Sequence, residues 1–409
     1  MITLLTNSAE TAFWRCPRLY ALSYRLGIRP IHTADPLRQG SACHLGWELL
    51  KNGSTPLQAE YELRQSYQET PCPPWLSTEE YATERETSIA MVQGWHWRWM
   101  GTGRREGDAA LKRIAVELPF NLPIINPLTG CASRTYRNAG KVDGIVEVDD
   151  GRMMVEEEKT VGESIEAGAP YWLTLQMDGQ ITRYFIASRE KGYPVQGIIY
   201  SATRKPAISP RKLTKAEQAQ AQSIGYYCGR PLLNPPPCPF CGEAMLYAKN
   251  PGIPEHWICG KEDGGMLAID AGERFPCPER ETPTMFGARL FTDMMTRPDF
   301  YFRRMEVPRL QTDIDEFRAE MWVTAQAIHG SELLEPKYGL AAWPRRTREC
   351  NRMGTCSYLS VCKGLKGDPT EEIPAGFERV ECVHSELPAN IEELANDNDN
   401  STTAAVAAE

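Results

Sequence analysis

A mixed sheet with helices on its faces, an α/β fold, is predicted for this 409-residue chain by three observations. Residues 8–99 recur with helical spacing, and near residue 111 the pattern changes to period-two runs typical of strands. Two of those runs flank Asp149-Asp150-Gly151, a hairpin turn signature. Beyond residue 170 helical spacing returns and leads into one more apolar strand. The order helix, three strands, helix, strand is that of a sheet covered by helices.

Taken in order, residues 8–26 read as a helix through Phe13, Leu19, Leu22 and Tyr24, with Cys16 among them. A second helix over 40–51 carries His44. Ser77 and Glu80 have the spacing of a capping box before a helix running toward Trp99. Its Trp95, Trp97 and Trp99 alternate, and packing explains them better than base stacking. Strands are expected over 111–120, 141–148, 152–159 and 195–202, and helices over 171–188, 214–227, 285–295 and 312–328. The expected regions are a helical N-terminus (1–110), the sheet core (111–230), a proline- and cysteine-rich insertion (231–284) and a C-terminal helical region (285–382). An acidic tail follows (383–409), and its low-complexity end reads as disorder.

Hydrophobic residues make up 42% and charged residues 24% of the chain, as in ordinary globular proteins. No run approaches the roughly 18 apolar residues of a membrane span. The start has neither a basic n-region nor an apolar h-region, so a cytoplasmic location is expected. The net charge of −9 argues weakly against a polyanionic partner, because six of the acidic residues (Glu386, Glu392, Glu393, Asp397, Asp399, Glu409) lie in the tail. Arg104-Arg105, Arg303-Arg304 and Arg345-Arg346 are local basic candidates. Thirteen cysteines, without a secretion signal, point to metal ligands more than to disulfides.

With a three-residue hairpin loop, Asp143 stands opposite Glu157, roughly 5 Å away on one face. Lys159 shares that face and Glu158 points away. Two facing carboxylates repel unless a divalent cation lies between them, with the lysine beside it. Such a site suits phosphodiester hydrolysis assisted by magnesium or manganese. The competing reading is a surface acidic strand balanced by lysine.

Lys141-Val142-Asp143-Gly144 and Val155-Glu156-Glu157-Glu158-Lys159 resemble the aspartate and E-x-K elements of RecB-like PD-(D/E)xK nucleases. Phe13-Trp-Arg-Cys16-Pro-Arg-Leu-Tyr20 resembles the N-terminal helix of the family's iron–sulfur branch, to which CRISPR-adaptation and AddB-type nucleases belong. Gly40-Ser-Ala-Cys-His44 is similar to its G-x-x-x-H element, and Gln180-Ile-Thr-Arg-Tyr184 to its Q-x-x-x-Y motif. The resemblance covers about 8–210 and 286–363, with some likeness to phage and prophage members. It implies a restriction-endonuclease-like core and His44, Asp143 and Glu157 as ligands of Mg2+ or Mn2+. Lys159 and Gln180 would complete the catalytic set, and Tyr184 would line the DNA path. The implied activity is a DNA exonuclease favouring single strands or free ends, in a recombination setting with a protein partner. A non-catalytic DNA-binding module or a partner-dependent endonuclease are the rival readings.

Cys350, Cys356 and Cys362 are separated by five residues each, and iron–sulfur or zinc sites need a fourth ligand. Counting leaves that ligand open among the other cysteines. The resemblance implies Cys16 and a [4Fe–4S] cluster, with zinc in the same positions as the alternative. In the insertion, Cys238-Pro-Phe-Cys241 is similar to a zinc knuckle. It could be completed by His256 and Cys259, or by a set using Cys277.

Overall fold

A computed structural model describes residues 2–224, 226–231, 277–352, 354–365 and 372–391, with three short strands between 246 and 270. The chain opens with β1 (Thr3–Leu5), α1 (Asn7–Arg15), α2 (Pro17–Tyr20) and β2 (Ile28–Pro30). Three helices follow: α3 (Asp35–Lys51), α4 (Pro56–Glu69) and α5 (Thr78–Trp99). Next come β3 (Lys112–Ile125), β4 (Ala132–Glu147) and β5 (Met153–Val161), then α6 (Pro170–Thr174), α7 (Gly179–Glu190) and β6 (Val195–Arg204). After α8 (Lys215–Ile224) lie the short strands β7 (Tyr226–Tyr227), β8 (Arg230–Pro231), β9 (Leu246–Ala248), β10 (His256–Ile258) and β11 (Ile269–Asp270). The last elements are α9 (Pro283–Thr296), α10 (Pro298–Tyr301), β12 (Phe302–Val307), α11 (Gln311–Tyr338), α12 (Leu359–Gly364) and β13 (Phe377–Arg379).

Two compact units are built from interleaved segments: 1–55, 105–204 and 302–409 form one, and 56–104 and 205–301 the other. The first holds a six-stranded mixed sheet in the order β1-β4-β5-β6-β12, with β3 also on β4. β1 is parallel to β4 and β5 to β6, while β3–β4, β4–β5 and β6–β12 are antiparallel. Because β3 runs along the whole of β4, β1 and β5 share the other edge of β4, at opposite ends. The α/β prediction therefore holds. α7 packs on β4, β5 and β6, and α11 packs on α7. Val155, Ile198, Phe185, Phe317 and Met321 are among the residues of that core.

Local chemistry explains where the elements start and stop. The helix expected over 8–26 breaks at Cys16, whose backbone is extended (φ −162°, ψ 110°). Pro17 is the cause, because its ring disfavours helical geometry in the preceding residue. A π-helical turn at Ala21–Arg25 follows α2. The helix expected over 171–188 is likewise two helices, divided at Asp178, whose carboxylate caps α7 through the Gln180 and Ile181 N–H groups. The Ser77–Glu80 capping box is formed in full. β12 was not anticipated from the sequence, and α11 runs ten residues past the expected end.

In the second unit α5 packs on α9 and α4. Gly287 lies against Glu86, where a Cβ would sit 3.1 Å from that side chain. Trp95 is fully buried, so packing accounts for it, whereas Trp97 borders an open cleft with Gln93, His96, Arg230 and Phe291. Cys238, Cys241 and Cys259, and the side chain of His256, lie outside the described residues. Cys277 is a free thiol packed beside Leu213, Tyr227 and Met285. Among the described residues no helix is long and apolar enough to cross a membrane.

Candidate active site

The hairpin register pairs Gly144 with Glu156 and Ile145 with Val155. The ladder ends there, so the next pair in register, Asp143 and Glu157, sits where β4 and β5 part. Val148 accepts from the Gly151 N–H at 2.8 Å and donates to Arg152 at 3.0 Å, closing the three-residue turn that sets this register. Gly151 adopts φ +83°, a conformation that favours glycine. At the fork one Asp143 oxygen accepts from the Glu158 N–H at 3.1 Å. α3 packs on β3 and β5, with Gly40 against the Thr160 hydroxyl, and brings His44 Nδ1 to 3.8 Å from Asp143 Oδ2. Lys159 Nζ stands 2.8 Å from Glu157 Oε1.

Glu157 is fully buried, with Oε1 facing the Lys159 ammonium. Burial, and then the charge of Asp143, push its carboxyl well above the usual carboxylate range, against the opposing pull of Lys159. Lys159 is held charged because the attraction of Glu157 and Asp143 outweighs the burial that opposes it. One partly exposed cation thus faces two carboxylates, leaving a shortfall of positive charge. Burial, and beyond it Lys159 and Lys51, lower the His44 pKa despite Asp143, keeping a neutral nitrogen available. Among the described residues no three His, Cys, Asp or Glu side chains are gathered as an ion site. At this site Asp143 is turned to a backbone N–H and Glu157 to Lys159. An imidazole and two carboxylates are nonetheless donors of the kind a hard divalent cation takes.

Gln180 and Tyr184 lie one turn apart on α7, and the Gln180 amide donates to the Tyr184 hydroxyl at 3.0 Å. Asn7 Nδ2 reaches Gln180 Oε1 at 3.5 Å. Tyr184 is only 8% exposed, packs edge-on against Phe120 and backs Gln180. Tyr200, the β6 neighbour of Glu157, hydrogen-bonds Tyr171 at 2.7 Å.

Several residues escaped the sequence reading. Glu117 lies across from Asp143 on β3, adopts φ +51° and pairs with Lys141. A positive φ is strained for a residue with a Cβ, and no local sequence signal marks it. Lys51, at the end of α3, has its Nζ 3.0 Å from Glu156 and 3.7 Å from Glu158. Arg304, expected as a surface basic residue, is instead largely buried between the same two carboxylates at 3.9 and 3.8 Å. The triple-glutamate strand is therefore not a surface strand balanced by Lys159.

Cys16, Cys350, Cys356 and Cys362 line one cavity in the first unit, together with Arg15, Arg18 and Arg345 among others. Partial burial, and the neighbouring thiols of Cys356, Cys16 and Cys362, raise the Cys350 pKa. Arg18 donates to Trp343 O at 3.0 Å, fixing α2 beside the C-terminal segment.

The family model for the PD-(D/E)XK nuclease superfamily matches residues 5–363. No curated protein matches the chain.

Proposed function

Because the chain belongs to the PD-(D/E)XK nuclease superfamily, we propose that it is a metal-dependent DNA nuclease whose centre is His44, Asp143, Glu157 and Lys159. The observation that carries this reading is the pair of buried carboxylates at the β4–β5 fork, faced by a single lysine. We further infer an exonuclease acting on single strands or free ends, in a recombination setting with a protein partner.

His44, Asp143 and Glu157 would hold magnesium or manganese. When bound, that ion supplies Lewis-acid polarisation of the phosphoryl group and acidifies water at neutral pH. Lys159 stays protonated beside Glu157 and offers a donor to the charge that grows on the phosphoryl oxygens in the transition state. Gln180, held between Asn7 and Tyr184, presents a fixed amide at the start of α7 for orienting water or substrate.

For the second cofactor, four cysteines on one cavity, with arginines around them, suit a [4Fe–4S] cluster. Four thiolates make the cluster anionic, and Arg18 and Arg345 supply opposite charge. Zinc in the insertion stands as a separate reading of Cys238, Cys241, His256 and Cys259.

The direct test incubates the full chain and Asp143→Ala with end-labelled linear single-stranded DNA and Mg2+ or Mn2+. The variant is expected to lose activity by about 100-fold or more. Equal degradation by both proteins would remove the site. Circular single-stranded DNA left intact by the wild type supports end-dependence, and its cleavage replaces the exonuclease by an endonuclease.

A further inference from the structure

Glu157 has a glutamate on either side, and strand alternation sends both to the opposite side of β5. Glu156 and Glu158 are buried there, 0% and 1% exposed. Leaving two carboxylates in such a place uncompensated would cost several kcal/mol each. Three cations answer them, each from a different element. Lys51 reaches from the end of α3, itself only 3% exposed, with Nζ 3.0 Å from Glu156 and 3.7 Å from Glu158. Arg304 comes from β12, two strands across the sheet, and its Nε also donates to Ser201 Oγ at 2.8 Å. Arg113 comes from β3, 3.7 Å from Glu156.

The elements that supply these cations bear on the site. α3 carries His44 two turns before Lys51. β5 carries Glu157 and Lys159 between and beside the two gripped glutamates. β3 pairs with β4 along the stretch that holds Asp143. A rigid contact between Lys51 and β5 therefore fixes how far the His44 ring stands from the carboxylates, at a point where the β4–β5 ladder has ended and backbone pairing no longer fixes it. Buried apolar side chains accompany these charges: Val146, Val148, Met154 and Ile199 form one cluster, and Trp47 and Leu50 are buried on α3. Apolar contacts are non-directional and would allow sliding, whereas a hydrogen-bonded ion pair to Glu156, with Glu158 in charge contact, resists it. Lys51 also acts on the site by charge, helping to hold His44 neutral.

We propose that Lys51, with Arg304 and Arg113, is a positioning residue: by gripping Glu156 and Glu158 behind the catalytic strand it locks α3 to β5 and so sets the spacing of His44 from Asp143 and Glu157. The assignment rests on the reading of those three residues as metal ligands. Lys51 touches neither substrate nor ion, and its effect on metal affinity is that of an outer support.

The test measures Mn2+ binding to the full chain by electron paramagnetic resonance, with thermal midpoints taken in EDTA. Lys51→Met leaves buried carboxylate charge behind and could fail to fold, so the charge-balanced pair Lys51→Met/Glu158→Gln is the main variant. It is expected to raise the Mn2+ dissociation constant about 10- to 100-fold. Lys51→Arg, which keeps the cation, should restore most of the affinity. Ile199→Val, a packing change on the same face, should lower the thermal midpoint and leave Mn2+ affinity alone. A wild type that binds Mn2+ tightly and a paired variant that binds it equally well would overturn the positioning role alone. A wild type without Mn2+ binding would overturn the metal reading and this assignment together.

Discussion

Glu157, in the proposed centre, carries a cost in stability. Its carboxyl is pushed above the usual range by burial and by Asp143. For an acid the sign is fixed. Below the ordinary carboxylate pKa of about 4.3 folded and unfolded chains both hold the proton, so nothing is lost. As pH rises through that value the unfolded chain releases it first, and the folded protein loses stability until its own carboxyl ionises. Glu157→Gln, measured in EDTA, should therefore raise the thermal midpoint at pH 8 and change it little at pH 4. The same variant should lose Mn2+ binding. A midpoint at pH 8 no higher than the wild type would contradict the burial argument. Asp143, Glu157 and Lys159 were legible in the sequence because a three-residue hairpin makes their register a local matter. Lys51 and Glu117 were not. One meets its nearer partner, Glu156, 105 positions away, and the other is singled out by a backbone angle that nothing in its neighbours dictates.

At the scale of elements, breaks were harder to read than the elements themselves. Helical spacing continues across Cys16 and Asp178, yet Pro17 ends one helix and the Asp178 cap restarts another. Both breaks matter, since the first turns a cysteine into the cavity and the second starts the helix with Gln180. β12 was missed because its sequence, Phe302–Val307, has two arginines that read as surface charge until the carboxylates beneath them are known. In the second unit Glu281 joins α9, β7 and the loop that precedes α8. It accepts from the Arg289 guanidinium beginning at 2.5 Å, from the Tyr227 hydroxyl at 2.7 Å and from the Arg211 N–H at 2.9 Å. Burial works against its charge, but these donors win and hold its pKa below the ordinary value. A depressed carboxylate gives stability that is present above the unfolded pKa and lost as pH falls through the folded one. The midpoint difference between wild type and Glu281→Gln should be largest near pH 7 and shrink below about pH 4. A difference that stays constant down to pH 3 would assign Glu281 a packing role only.

At the largest scale the question is what keeps the N-terminal and C-terminal segments of the first unit together. The first unit already joins them without any cofactor. β2 pairs with β13, the Tyr358 hydroxyl donates to Ile28 O at 3.0 Å, and Trp14 Nε1 donates to Thr324 at 3.0 Å. The cysteine cavity lies along the same seam, with Cys16 on one side and Cys350, Cys356 and Cys362 on the other. A cluster ligated by all four would add a covalent closure across more than 300 residues, which acts chiefly by restricting the unfolded chain. Two consequences follow, and they separate a cluster from unligated thiols. Anaerobically purified protein should be brown and contain about four irons per chain, and Cys16→Ser should lose most of that iron. The substitution should lower the thermal midpoint of the iron-loaded protein by roughly 3 °C or more. In the iron-free protein it should have almost no effect, because the seam is already held by strand pairing and hydrogen bonds. A colourless wild type containing zinc in place of iron would reassign the cavity to a different metal. Equal midpoint losses with and without iron would mean that Cys16 serves the fold by packing alone.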